Sequence, residues 1–242
     1  MDLHCFALHV TNLNLSDLPH ETKKAYRSTD GAFIHRVKTI LRLKEDDRLV
    51  LFDSSHHTTA LLKKVSPHEL VFLVEPLEPN IFLQPSITWW LPLLKKEAFE
   101  EALYTLTEMG VQFIQPLRTK KATRSWGLPK DYARAQAVML AACEQSKQFT
   151  VPILRPLKEL AECTTEGIHL KLFFDASGEP LIPVLTEQSG APVIACVGPE
   201  GDLTTDEKKY LKEQGFVFCK LTSTVLRAQQ AVAVGLGILR SL

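Results

Sequence analysis

Residues 193–201 read VIACVGPEG, an apolar run of strand length that breaks directly into a turn bounded by glycines. Val193–Val197 predicts a strand. Gly198 and Gly201 let backbone N–H and C=O groups come close to a ligand. A turn at the carboxyl end of a strand is where α/β folds usually bind their ligands. The same four residues, Gly198-Pro199-Glu200-Gly201, also fit a plain strand-to-helix connection. They match neither a P-loop nor GxGxxG, so nucleotide phosphates are poor occupants.

On both sides of this turn strands and helices alternate, the pattern of an α/β domain with a parallel sheet. Ile87–Leu91 predicts a strand. Lys95–Met109 predicts a helix, with Phe99, Ala102, Leu103 and Leu106 on one face and Gly110 as its left-handed stop. Val111–Leu117 is the next strand and Asp131–Gln148 the next helix. His169–Phe174 and Phe216–Leu221 are strands. Thr204–Gln214 is a helix opened by a Thr204/Glu207 capping box and stopped at Gly215. Arg227–Leu242 is the last helix.

Residues 1–75 read differently. Phe6–Val10, Arg48–Phe52, Thr58–Val65 and Leu70–Val74 are short β-like runs, with one helix over Gly31–Leu43. Such spacing suggests a small barrel or sandwich. Residues 76–85 carry three prolines, which exclude a helix and mark a linker. The predicted division is 1–75, a linker over 76–85, and 86–242.

Composition narrows the class. The chain has 242 residues, 45% of them hydrophobic and 23% charged, which excludes disordered and fibrous classes. Lys+Arg and Asp+Glu both number 28. Only residues 80–160 are basic, with 11 cations against 7 acids, so any polyanion contact is expected there. Five cysteines without a CxxC argue against a disulfide framework and a zinc site. No signal-peptide pattern opens the chain, and no apolar run reaches membrane-spanning length. The expectation is a cytoplasmic protein with no membrane segment and no metal.

Four further features carry possible chemistry. Arg227 opens the last helix, where the macrodipole disfavours a cation, so a ligand or interface role competes with plain exposure. Glu144-Gln145-Ser146 closes an Ala-rich helix and also reads as an exposed helix end. Arg118, Lys120, Lys121, Arg124, Lys130 and Arg134 surround Trp126. Such a stretch can grip phosphates while an aromatic stacks on a base, or can be a solvated face. His56-His57 lacks nearby ligands and reads as a surface turn. No GxSxG nucleophile motif occurs.

Together these runs resemble the RsmE family of small-subunit ribosomal RNA methyltransferases. VGPEGDLTTDEKKYLKEQGFVFCKLTSTVLRAQQA is similar to the family's GPEGG-(F/L)-S-x-x-E and LGxRILRxETA blocks. Ala141–Ser146 (AACEQS), Glu108–Leu117 (EMGVQFIQPL) and Thr39–Asp53 (TILRLKEDDRLVLFD) match three other blocks in order. The resemblance implies a PUA-like β-barrel over 1–75 that helps hold RNA. It implies a SPOUT domain, an α/β fold with a parallel sheet and a trefoil knot, over 86–242. It also implies a homodimer acting in the assembled 30S subunit, with S-adenosylmethionine as methyl donor to N3 of a uridine.

The implied cofactor walls are the loop after His169–Phe174, the Gly198–Gly201 turn and the Leu221–Leu226 loop. The implied cofactor residues are Phe174, Val197, Gly198, Pro199, Glu200, Gly201, Leu221, Val225 and Leu226. Arg227 is the implied catalytic cation. Arg42, Arg118, Lys120, Lys121 and Arg124 are the implied RNA contacts. The chain departs from the family wording at Asp202, Thr222, Thr224, Gln229 and Gln230, at Gln148 after the EQS block, and near His4. Gln148, Thr224 and Gln229 prompt a second reading, a non-catalytic RNA-binding or ribosome-assembly protein on the same fold.

Overall fold

The alternation between residues 87 and 240 folds into a seven-stranded sheet, in a computed structural model that describes all residues except 1–4, 12, 19–24, 166, 168–169, 187–189 and 242. His4, His169 and Leu242 thus lie outside the described residues. The chain divides into two units, 1–81 with 143–150, and 82–142 with 151–242.

The second unit is a parallel sheet with helices. Its elements are β7 (Ile87–Pro92), α2 (Lys96–Glu108), β8 (Phe113–Arg118), α3 (Pro129–Ser146), β9 (Ile153–Leu154), β10 (Lys158–Glu159), β11 (Leu170–Pro180), α4 (Leu181–Thr186), β12 (Val193–Val197), α5 (Thr205–Glu213), β13 (Val217–Lys220) and α6 (Ala228–Arg240). The last residues of α3 group with the first unit. The strand order is β10-β8-β7-β12-β11-β13, with β9 paired to β8. Every ladder is parallel. Every residue of β7 and β12 is buried, as a parallel strand covered on both faces requires.

The helices follow their apolar stripes. Phe99, Ala102, Leu103 and Leu106 of α2 are buried, and so are Val232, Gly235, Leu236 and Leu239 of α6. Burying each large side chain contributes roughly 1.5–3 kcal/mol. Gly110 takes φ 69 and Gly215 φ 83, so both helix stops use the left-handed region. Arg240 donates from its guanidinium to the carbonyls of Met109 (2.9 Å), Pro85 (2.8 Å) and Gly110 (2.6 Å). It thereby satisfies carbonyls at the end of α2 that the helix leaves unpaired. Gly235 lets α6 approach Phe174: a Cβ there would stand 2.5 Å from the ring.

The first unit holds β1 (Phe6–His9), β2 (Ala25–Ser28), α1 (Gly31–His35), β3 (Arg48–Phe52), β4 (His56–Val65), β5 (Leu70–Val74) and β6 (Glu78–Pro79). Asp30 caps α1 by accepting from Ala32 N and Phe33 N. The turns then widen, with Leu41 N donating to Arg36 O. The strand order is β1-β3-β4-β5-β2, with β6 on β4. The expected barrel is not closed among the described residues: β1 pairs with β3 and β2 with β5, and no ladder joins the two edges. Each edge strand has four residues. That gives each a span of about 13 Å, a short edge for a tilted, staggered closure.

Among the described residues no helix is long and apolar enough to cross a membrane.

Candidate functional site

The middle of β11 and the carboxyl ends of β12 and β13 converge on a cavity of about 480 Å³. Its wall carries nine of the residues singled out in the sequence: Phe174, Val197, Gly198, Pro199, Glu200, Leu221, Val225, Leu226 and Arg227. Gly201 belongs to the same turn but does not line the space. Asp202 and Thr222 both line the cavity without filling it.

The turn after β12 is fixed from several directions. Glu200 Oε1 accepts from Lys95 N at 2.9 Å, so it caps α2, whose own N-cap residue supplies no side-chain bond. Lys121 Nζ donates to Gly201 O at 2.8 Å. Asp202 N donates to Pro199 O at 2.8 Å and closes the turn. Asp202 takes φ 55, the region where the family wording has glycine. Its Oδ1 accepts from Leu203 N at 2.7 Å, the local bond that lets Asp occupy that conformation. Gly198 has little room for a side chain, since a Cβ would lie 3.1 Å from Asp202 Oδ1.

The capping box opening α5 forms as expected: Thr204 Oγ1 accepts from Glu207 N, and Glu207 Oε2 accepts from Thr204 N at 2.8 Å. Glu207 Oε1 also accepts from Lys120 N at 2.7 Å.

The loop after β13 is held more sparsely. Thr222 Oγ1 donates to Thr224 O at 2.7 Å. Val225 is 85% exposed. Arg227 is the N-cap of α6 and makes no side-chain cap bond. Among the described residues its guanidinium has no hydrogen-bond or ion-pair partner, although its position lines the cavity. It is therefore a cation free to meet a ligand.

The third wall is the segment after Phe174, whose further residues the sequence did not single out. Asp175 and Ala176 follow β11's apolar residues and line the cavity. An acid directly after the run KLFF was the available signal. Asp175 Oδ1 accepts from Ser177 N (2.8 Å) and Ser177 Oγ (2.7 Å). Burial alone would raise the Asp175 carboxyl. Hydrogen bonds from Lys208 and Ser177 outweigh it and hold the carboxyl below its ordinary value.

The basic stretch does not form one free patch. Lys121 serves the Gly201 carbonyl, and Arg124 Nη1 donates to Leu94 O at 3.2 Å. Arg118 reaches Trp126 O at 3.4 Å and lies 3.9 Å from Glu159. Trp126 is 5% exposed and packs on Tyr132 and Phe99, so it offers no face for a base. Lys120 and, in the first unit, Arg42 are exposed.

In the first unit Glu144 is not an exposed helix end. It accepts from His9 N (3.0 Å) and from Arg36 Nη2 (2.6 Å). His57 Nδ1 meets Asn80 Oδ1 at 2.9 Å, and His56 Nδ1 meets Ser16 Oγ at 3.4 Å.

Thiol chemistry is absent from the cavity. None of the described cysteines lines it, and burial pushes Cys163 and Cys219 up to about 11 and Cys143 to about 12.

Comparison with known proteins fits this geometry. Residues 83–240 match the sequence model of a family described as an RNA methyltransferase domain. Ribosomal RNA small subunit methyltransferase E of Rickettsia conorii is 25% identical, covering 86% of each chain. Its namesake from Synechocystis is 26% identical over 93% of this chain and 76% of that one. A Neisseria gonorrhoeae enzyme of the same name, solved bound to S-adenosyl methionine, superposes with a TM-score of 0.79 at 22% identity over 98% of both chains. A Legionella pneumophila putative methyltransferase, solved with its cofactor, gives 0.80 at 20% identity over 98% of this chain and 97% of that one.

Proposed function

The chain belongs to the RsmE family of RNA methyltransferases, and from that premise we propose that it moves a methyl group from S-adenosylmethionine to N3 of one uridine in small-subunit ribosomal RNA. The observation that carries this reading is the cavity where β11, β12 and β13 meet, with the unpaired Arg227 on its wall.

The cavity suits the cofactor. Its volume of about 480 Å³ lies within the roughly 300–1,000 Å³ of small-molecule clefts. Phe174, Val197, Leu221, Val225 and Leu226 give it apolar walls, and the turn from Gly198 adds backbone polar groups. When bound, S-adenosylmethionine supplies a reactive methyl on a sulfonium. The protein's own task is then alignment and exclusion of water.

Arg227 is assigned to the base. Uracil must lose the proton on N3 to attack, and its ring oxygens then carry negative charge. A guanidinium held at the cavity wall stabilises that charge. Because N3 is on the pairing edge, the base reacts unpaired. None of the described cysteines lines the cavity, and methylating the ring carbon calls for a nucleophile that first adds to the ring, which favours nitrogen as acceptor.

The remaining assignments follow the same premise. Residues 1–75 serve as a PUA-like module that holds RNA, joined through 76–85 to a knotted SPOUT domain over 86–242. Arg42, Arg118, Lys120, Lys121 and Arg124 contact RNA phosphates, with Lys121 and Arg124 also bracing backbone carbonyls. The protein acts as a homodimer on the assembled 30S subunit in the cytoplasm.

The test supplies the purified protein with S-adenosylmethionine and small subunits lacking the modification. Mass spectrometry of the digested rRNA should find one new 3-methyluridine. Methyl transfer to another position overturns the N3 assignment. Cofactor binding without any transfer favours the non-catalytic reading.

A further inference from the structure

We propose that Lys208 is a positioning residue for the methyl donor: its ammonium clamps the wall carrying Asp175 to the wall carrying Asp202 and so sets the width of the cofactor cradle. This inference rests on the cavity being the S-adenosylmethionine site.

The clamp is built from three side chains. Lys208 Nζ lies 2.6 Å from Asp175 Oδ2 and 2.8 Å from Asp202 Oδ2. The Lys208 side chain is 27% exposed and that of Asp175 11%, so the inner arm is partly shielded from solvent. Asp175 and Asp202 line the cavity, and Lys208 does not. Lys208 therefore acts through the walls and does not touch the occupant.

Each wall needs such a tie. The ladder between β11 and β13 is interrupted: Phe174 and Glu179 both align with Cys219, so residues 175–178 leave the register. Asp175 shapes that bulge through Ser177 at one oxygen and fixes it to Lys208 through the other. Asp202 holds a left-handed conformation that glycine would adopt more readily. The carboxylate gains the Lys208 bond there, which glycine cannot make. Lys208 itself sits near the start of α5, where the helix dipole disfavours a cation. The two carboxylates supply the compensating charge. In line with this, burial would lower the Lys208 ammonium, and its two carboxylate partners raise it instead.

Wild-type chain, Lys208→Met, Lys208→Arg and Lys209→Met would be titrated with S-adenosylmethionine by calorimetry at full length. Among the described residues Lys209 pairs only with exposed Glu213, and it serves as the control. Lys208→Met should weaken binding by about tenfold, the scale of a small misplacement of a binding wall. Lys208→Arg should restore most of the affinity, and Lys209→Met should match wild type. In turnover on small subunits, KM for the cofactor should rise in Lys208→Met while kcat is kept. Equal affinity of wild type and a folded Lys208→Met overturns the clamp alone. Absence of binding by wild type overturns the parent reading instead. If Lys208→Met does not fold, Asp202→Gly cuts one arm and suits φ 55. It should bind about threefold more weakly, and unchanged affinity overturns the clamp.

Discussion

The two loops that face each other across the cavity are held in opposite ways. The Gly198–Leu203 turn is bonded to the start of α2 through Glu200, to Lys121, to Lys208 and to itself. Among the described residues the Leu221–Leu226 loop has one side-chain bond, Thr222 to Thr224, and an almost bare Val225. The first wall is ordered before a ligand arrives, and it loses little freedom on binding. The second has few bonds of its own, so ordering it on a ligand would reduce its contribution to affinity. Substitutions in the first wall should therefore register as stability and cofactor affinity, and those in the second as turnover.

Arg227→Ala is the strongest way to break this contrast. It should lower kcat by about 10²–10³, the range for loss of one charge-stabilising donor. The unfolding midpoint should stay within a degree or two of wild type. A large drop in stability would mean that the loop is as firmly built as the turn. Gly235→Ala tests the third wall, because the new methyl would press on Phe174. It should destabilise by about 1–3 kcal/mol in denaturant titration. A neutral result would show that Phe174 moves freely. Glu200→Ala removes the cap of α2 and should cost about 1 kcal/mol with a modest loss of cofactor affinity. Loss of affinity with no loss of stability would contradict the bracing role given to Glu200.

The smallest effect concerns pH. The folded Asp175 carboxyl titrates below its unfolded value of 3.8. Its stabilisation is present above that value and lost as pH falls through the lower folded one. Cofactor affinity should thus be flat from about pH 6 to 8 if Lys208 and Asp175 alone set the wall. A step inside that window would implicate another group.

The sequence announced the sheet more fully than the site. β12 matches its predicted bounds, Val193–Val197, because an uninterrupted apolar run can only be buried. The capping box of α5 was legible because both partners lie three residues apart. β2, Ala25–Ser28, escaped notice: half of it is exposed, so no apolar run marks it. Glu144 reads as a helix end in isolation, since its partners His9 and Arg36 are more than 100 positions away. The Asp175–Lys208–Asp202 cluster stayed hidden because Asp175 lies 33 positions from Lys208 and no sequence pattern joins them. Trp126 misled in the other direction, because a basic neighbourhood suggests exposure while Phe99 and Tyr132 enclose the ring.

Arg240 has a consequence for how the molecule comes into being. Its guanidinium, in the last turn of α6, carries the three bonds that close carbonyls at positions 85, 109 and 110. During synthesis those carbonyls must wait, hydrated, until position 240 has been made, 130 residues after Gly110. α6 thus works as a latch, and a chain without Arg240 would leave the opening strand and helix of this unit without their fastening.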